Sequence, residues 1–308
     1  MFANLSSFLW NLVSSGKAKV AFANVLQICS IICLLLVAIA PINEIGVIIL
    51  VSSMIVSRVL VSGLITVRSV IWSLNYERNN RAKATGRLQM IASLITALVS
   101  SMIGPFLDAN PEQFVWVYLL GSLAGLAGTL FFSRIKVLDE ASQLENEIKA
   151  KTDKNLATGF MEIIKKDRYF RRYQYSMFTA GFGNMLIEAP LVFLVTRQLE
   201  ASYTTSIMIT MVIPFAVSLV ALPIWALYLD RVHVAQFRAR QSIFWVVAQL
   251  LTLVGAYFGS IAWLLVGRFV MGIARGGGSL AWQLGHNDFA KPDQLSAYMG
   301  IHVTLTGV

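Results

Sequence analysis

The sequence predicts an all-α polytopic membrane protein, and three observations carry that prediction. Apolar residues make up 56% of the 308 and charged residues only 13%, about half of the roughly 25% usual in a soluble domain. Eight apolar stretches are each long enough to cross a bilayer, which takes about 20 residues of helix. The basic residues gather in every second connection between those stretches. This composition, with a mean hydropathy of +0.67, excludes a soluble enzyme, a disordered chain and a disulfide-stapled secreted domain. The alternation expected of a transmembrane β-barrel is absent.

In chain order the spans are 20–40, 45–73, 88–107, 114–133, 174–196, 204–229, 241–259 and 261–284, with shorter apolar stretches at 1–13 and 296–308. Interior Pro105, Pro190, Pro214 and Pro223 do not argue against helix, because neighbours in a bundle can satisfy the freed backbone groups. The first ten residues lack a basic region and a small-residue cleavage site, so they are not a signal peptide. They read as the tail of a hydrophobic helix. Cys29 and Cys33 share a helix face inside one apolar run and read as small packing residues, with no further ligand to make a metal site.

The connections 14–19, 74–87, 134–173, 230–240 and 285–295 hold 20 Lys and Arg, while the alternate connections hold one, Arg197. Segments rich in Lys and Arg resist translocation. The first set is therefore expected on the cytoplasmic side of a bacterial inner membrane. The same effect accounts for the net charge of +9, and no nucleic-acid face is expected. The longest connection divides the chain into an N-terminal half (1–134), a central cytoplasmic loop (135–172) and a C-terminal half (173–308). That loop is mixed in charge and ends in the basic run Lys165-Lys-Asp-Arg-Tyr-Phe-Arg-Arg172. It reads as a solvated linker with a short amphipathic helix on the membrane surface, with a regulatory or lipid-binding role as the alternative.

The halves repeat. Arg58 to Trp72 and Arg268 to Trp282 each span 14 residues, at an offset of 210. Trp10 and Trp225 match at an offset of 215, each before a charged loop and a span. Ala84-Thr-Gly86 and Tyr298-Met-Gly300 form a weaker third pair. The order and the common in/out sense predict two parallel repeats, one of the known transporter plans. By the repeat, about one span and most of another are missing at the front and about 40 residues at the back, so the chain is expected to be a fragment of a twelve-span protein.

At this point the residues resemble the major facilitator superfamily, whose plan is twelve spans in two six-helix halves around a long central loop. Arg268-x-x-x-Gly272-x-x-x-Gly276 resembles the family's R-x-x-x-G-x-x-x-G pattern, with a departed copy at Arg58, where the glycine is Gly63. Leu227-Tyr-Leu-Asp230-Arg231 resembles the end of the family's loop motif. Ser101-Met-Ile-Gly104-Pro105 is loosely similar to the G-P motif of antiporters. The resemblance implies that the chain runs from part of the second family helix to the start of the eleventh. It also implies that the fourth, seventh and tenth (45–73, 174–196 and 261–284) line the central cavity.

Those same three spans carry the buried charges: Arg58, Arg68, Glu188, Arg268 and Arg275. A charge at a helix centre is costly in lipid and is expected to face a bundle interior or a wet cavity. Together with Asn184, one turn before Glu188, these are the candidate substrate and coupling residues. At 100° per residue, Ser62, Thr66 and Trp72 fall on the face of Arg58, and Gly272, Gly276, Ser279 and Trp282 on the face of Arg268. Those faces suit either a cavity lining or close helix packing. Glu188 is expected to exchange a proton or an Arg partner during transport, or else to form a fixed ion pair. Asp230, Arg231, His286 and Asp288 lie at the cytoplasmic mouths. The resemblance implies that Asp230 accepts from a neighbouring helix N-terminus.

No catalytic set, metal site or cofactor is expected, so the chain is not read as an enzyme. The function expected is a secondary transporter working by alternating access. The partners are the lipid bilayer, a small anionic substrate and protons. A multidrug or other efflux carrier of the same family, a receptor-like bundle and an inert fragment are the alternatives.

Overall fold

The computed structural model describes residues 6, 9–10, 13–41, 43–76, 78–138, 140–142, 144–145, 156–290 and 295–306. Among these, every regular element is helical. They are α1 (Lys19–Ala38), α2 (Glu44–Asn75), α3 (Arg78–Ala109), α4 (Phe114–Phe132), α5 (Leu156–Lys166), α6 (Arg168–Phe193), α7 (Tyr203–Ile207), α8 (Ile213–Leu229), α9 (Val234–Tyr257), α10 (Ile261–Leu284) and α11 (Leu295–Thr306). Lys149, Lys151, Lys154 and Lys291 of the basic connections lie outside the described residues.

Among the described residues, seven segments are long and apolar enough to cross a membrane. The expected eighth, 261–284, is a continuous 24-residue helix of spanning length. Arg268, Arg275 and the run Gly276-Gly-Gly278 dilute its apolar character. It packs against both α8 and α9, with Trp263, Val266 and Phe269 left facing outward. Large apolar side chains face outward elsewhere, among them Ile32 and Leu36 on α1, Leu123 and Leu130 on α4, and Leu250 and Leu253 on α9. An exposed apolar surface on that scale is what a hydrocarbon solvent demands.

Polar groups inside the spans are satisfied locally. Thr66, Thr129 and Thr252 each return their hydroxyl to the carbonyl four residues back, at 2.8–2.9 Å. The helix ends follow the same logic. Asn43 caps α2 by accepting from Gly46 N–H at 2.9 Å. A Cβ on Gly46 would lie 1.6 Å from the Pro41 carbonyl oxygen, so only glycine fits this turn. Proline is accommodated where the sequence reading expected, and wide turns flank two of the four. Pro190 lies inside α6, which passes into a π-turn at Leu194–Gln198. A second π-turn, Met208–Val212, runs directly into Pro214 at the start of α8.

The segments form two compact units: Met1–Arg81 with Gln113–Phe182 and Lys291–Val308, and Ala82–Glu112 with Gly183–Ala290. These group packed segments and differ from the sequence halves 1–134 and 173–308, which follow the order of spans. In the first unit α1 packs on α2 and α4, and Ser30 and Ser57 share a buried hydroxyl contact at 2.9 Å. In the second, α10 lies between α8 and α9.

One packing motif occurs in both units. Trp10 donates its indole N–H to the Val59 carbonyl at 2.9 Å. Its ring covers Gly63, where a Cβ would also meet Leu26 at 2.9 Å. Trp225 donates to the Ile273 carbonyl at 2.8 Å and covers Gly277, where a Cβ would meet Gln241 at 2.9 Å. The tryptophans and the Leu26/Gln241 pair differ by 215 positions, the carbonyls and the glycines by 214. The weak Gly86/Gly300 match has the same offset of 214. The packing register of the repeat is therefore 214–215. The Arg58-to-Trp72 match at 210 sits one helical turn out of it, so Arg58 is not the packing counterpart of Arg268. A four-residue slip returns nearly the same face at 3.6 residues per turn, which is why the letters alone did not expose it.

Candidate functional site

The second unit gathers four of the six expected substrate and coupling residues. An apolar cluster of Leu191 and Val195 from the α6 segment, Ile209, and Leu264 of α10 joins these helices. Glu188 lies one turn before Leu191, and Arg268 one turn after Leu264. Arg268 donates from Nη1 to Glu188 Oε1 at 3.0 Å and from Nη2 to Oε2 at 3.1 Å. The fork of a guanidinium matches a carboxylate, and such pairs are strong and directional. The two partners differ in setting: the Arg268 side chain is 1% exposed and that of Glu188 is 43% exposed.

Arg268 Nε and, one turn before Glu188 on the same helix, Asn184 Oδ1 are buried with no hydrogen-bond partner among the described residues. Arg275, two turns along α10, lays its guanidinium over the Phe215 ring at 4.1 Å and feels the charges of both Glu188 and Arg268. It makes no ion pair among the described residues. A cation held by a ring face keeps its hydrogen-bond donors free.

Gly272 and Gly276, assigned to a cavity-or-packing face, pack. A Cβ on Gly272 would meet Val217 at 2.6 Å and the Pro214 carbonyl at 2.9 Å, and one on Gly276 would meet the Ser218 carbonyl at 3.1 Å. Close approach of α8 and α10 needs these glycines. Ser279 returns its hydroxyl to Gly276 at 3.0 Å, and Trp282 is half-buried.

Arg58 and Arg68 belong to the first unit, where both are exposed and neither makes an ion pair among the described residues. Ser62 and Thr66 are buried, and Trp72 is half-buried with Tyr76 against its ring. The α2 face is thus split between an exposed Arg and buried hydroxyls rather than forming one lining.

At the connection before α9, Val234 N–H donates to Asp288 Oδ2 at 2.7 Å, and Ala235 N–H to His233 Nδ1 at 3.1 Å. Asp288 thus sits on the N-terminus of α9. Asp230 is exposed in the last turn of α8, where the backbone offers acceptors rather than donors. Arg231 beside it is exposed and His286 is buried.

Sequence reasoning missed Asp108. It had been placed in an outer connection, yet it ends α3. Asp108 Oδ1 accepts from Tyr203 N–H at 2.6 Å and Oδ2 from Thr204 N–H at 3.0 Å. A Cβ on Gly104, one turn earlier, would come within 2.7 Å of Thr204 Cα. The glycine lets the backbones touch, and the carboxylate satisfies orphan N–H groups at a helix start. The available signal was an acid one turn after a glycine at the end of a span.

No curated protein matches the sequence. The family model of the Major Facilitator Superfamily matches residues 3–308. That superfamily consists of transporters rather than enzymes. The chain is a multi-pass membrane transporter and belongs to the Major Facilitator Superfamily.

Proposed function

We propose that this transporter carries a small anionic solute by alternating access and couples its movement to protonation of Glu188. The observation that carries the reading is the unequal burial of the Glu188–Arg268 pair. A guanidinium keeps its proton in proteins. Protonating the more accessible Glu188 would leave Arg268 charged without a counter-ion, at a cost of several kcal/mol. A second anion relieves that cost. Proton and anion are thus favoured together, which is the thermodynamic condition for co-transport. Arg275, without an ion-pair partner among the described residues and held over the Phe215 ring, is the group proposed to meet the solute's negative charge, and Asn184 Oδ1 offers it an acceptor.

The proposed moving bodies are the sequence halves 1–134 and 173–308, joined by 135–172. Asp108 lies in the first and Tyr203 and Thr204 in the second, so their contact is the proposed outer gate. The connections 14–19, 74–87, 134–173, 230–240 and 285–295 face the cytoplasm in this reading, in a bacterial inner membrane. Single cysteines at 87 and 200 would then label with an impermeant thiol reagent from opposite sides.

The coupling is tested without knowing the solute. Infrared titration of the purified protein should show a protonated carboxyl band that is missing in Glu188→Gln. Adding chloride or acetate as surrogate anions should shift that titration toward higher pH in the wild type, and less in Arg275→Gln. A band unchanged by Glu188→Gln would remove Glu188 from the mechanism. A titration blind to every anion would remove the coupling.

A further inference from the structure

Where the central connection enters α6, the helix has two opposed faces. Phe170, Tyr173, Gln174 and Met177 are all buried. Phe170 packs its ring on Tyr298 of α11 at 4.5 Å, and His302 of α11 meets Gln174 Oε1 at 3.0 Å. Spacings of 3, 4 and 7 make these one stripe.

The opposite stripe is uncovered. Asp167 joins α5 to α6 without breaking the hydrogen-bond ladder: its N–H donates to the Ile163 carbonyl and its carbonyl accepts from Arg171 N–H. Lys165, Arg168 and Arg172 therefore fall on one side, at spacings of 3 and 7. All three are exposed and unpaired among the described residues. Tyr169 and Tyr175 share that side, each 75% exposed. Phe182, 14 residues after Arg168, continues it and stacks in parallel on the neighbouring exposed Phe178 at 6.3 Å.

The junction is fixed in place. Asp167 Oδ1 caps Phe170 N–H at 2.9 Å, and Oδ2 accepts from the Tyr298 hydroxyl at 2.8 Å. Arg171 closes α5 by donating to the carbonyls of Ile164 and Lys165 at 3.1 and 3.3 Å. The three cations are thus presented by an ordered element rather than by a loose tail.

Along the helix the exposed stripe passes from cations to tyrosines to phenylalanines over 14 residues, about 21 Å at 1.5 Å per residue. That is the order of a membrane leaflet read inward: charged headgroup, interface, hydrocarbon. A soluble anion or an acidic protein would match the cations but not the aromatic continuation. We infer that Lys165, Arg168 and Arg172 form a binding site for the headgroup of an acidic phospholipid whose acyl chains lie along Tyr175, Phe178 and Phe182. The inference rests on the chain's membrane insertion but not on the proposed sidedness or coupling. In a nanodisc both leaflets carry the same lipids, and the assay needs no transport.

The test uses the whole chain in nanodiscs of phosphatidylcholine with phosphatidylglycerol, extracted and weighed by native mass spectrometry. The wild type should retain phosphatidylglycerol in preference to phosphatidylcholine. A triple variant, Lys165→Gln with Arg168→Gln and Arg172→Gln, should lose most of that preference, by about fivefold for each cation near the surface. A control triple, Arg87→Gln with Arg134→Gln and Lys136→Gln, removes three exposed cations elsewhere and should retain it. The conservative pair Arg168→Lys with Arg172→Lys should keep retention, which a merely misfolded variant would not show. Equal loss in both triples would reduce the site to diffuse surface charge and overturn the proposal. So would a wild type without preference, or displacement of the lipid by excess inorganic phosphate.

Discussion

The tryptophan clasps of the two units are nearly superposable in their contacts and differ in chemistry. In the first, Trp10 closes over Gly63 with Leu26 beside it. In the second, Trp225 closes over Gly277 with Gln241 in the place of Leu26. Gln241 is fully buried and donates to the Ala274 carbonyl, while its Oε1 accepts from Arg238 at 2.7 Å. The same contrast extends to the charges. In the first unit Arg58 is exposed and makes no ion pair among the described residues; in the second Arg268 is buried on Glu188. The backbone approach is set by small residues and a ring, and it tolerates change at the side chains around it. Polar specialisation is concentrated in one copy.

Four sets of substitutions break or sharpen that comparison. The largest effect is expected from Glu188→Ala, which leaves a buried guanidinium without its counter-ion and should cost about 3 kcal/mol or more. Adding Arg268→Leu should recover most of the loss, whereas Arg58→Leu in the other unit should stay within about 0.5 kcal/mol. Thermal unfolding in detergent reads all three. Next, Gly63→Leu and Gly277→Leu should each cost about 1–3 kcal/mol by overpacking. The loss should be greater at Gly63, where Leu26 and the Trp10 ring both press at 2.8–2.9 Å. Equal tolerance of leucine at both sites would argue against the clasp.

Trp10→Phe and Trp225→Phe should then cost similar amounts, about 1 kcal/mol for the lost indole bond. A cost at only one site would show that the two clasps are alike in shape alone. The smallest effect belongs to Gln241→Leu, which converts the second clasp into the first. It should change stability by less than about 1 kcal/mol, because two polar partners are lost while apolar contact is gained. Hydrogen exchange at α9 and α10 checks whether the ladder there loosens.

The membrane class and the family were legible because they rest on composition, loop charge and spacing, which a sequence displays directly. That Glu188 would have a charged partner was legible for a related reason: an acid inside a span is rare and costly unless paired. Which partner was not, since Arg268 is 80 positions away and three other Arg lie in spans. The register slip at Arg58 has a periodic cause, as one turn more or less returns the same face. Asp108 was missed, and the helix that Asp288 caps could not be named, because an acid at a span end is ambiguous between a solvated loop and a helix cap. Only the position of the next helix start decides between them.

The 80-residue separation of Glu188 and Arg268 has a consequence for biosynthesis. The ribosome delivers α6 before α10, so the acid is already in the bilayer when the guanidinium arrives. An arginine at a helix centre resists partition into lipid by about 2.5–3.5 kcal/mol. The earlier carboxylate supplies the counter-charge that makes the later helix admissible. Reversing the two charges would ask the nascent chain to solve the harder insertion first, so the order of synthesis and the sign of the pair belong to one assembly route.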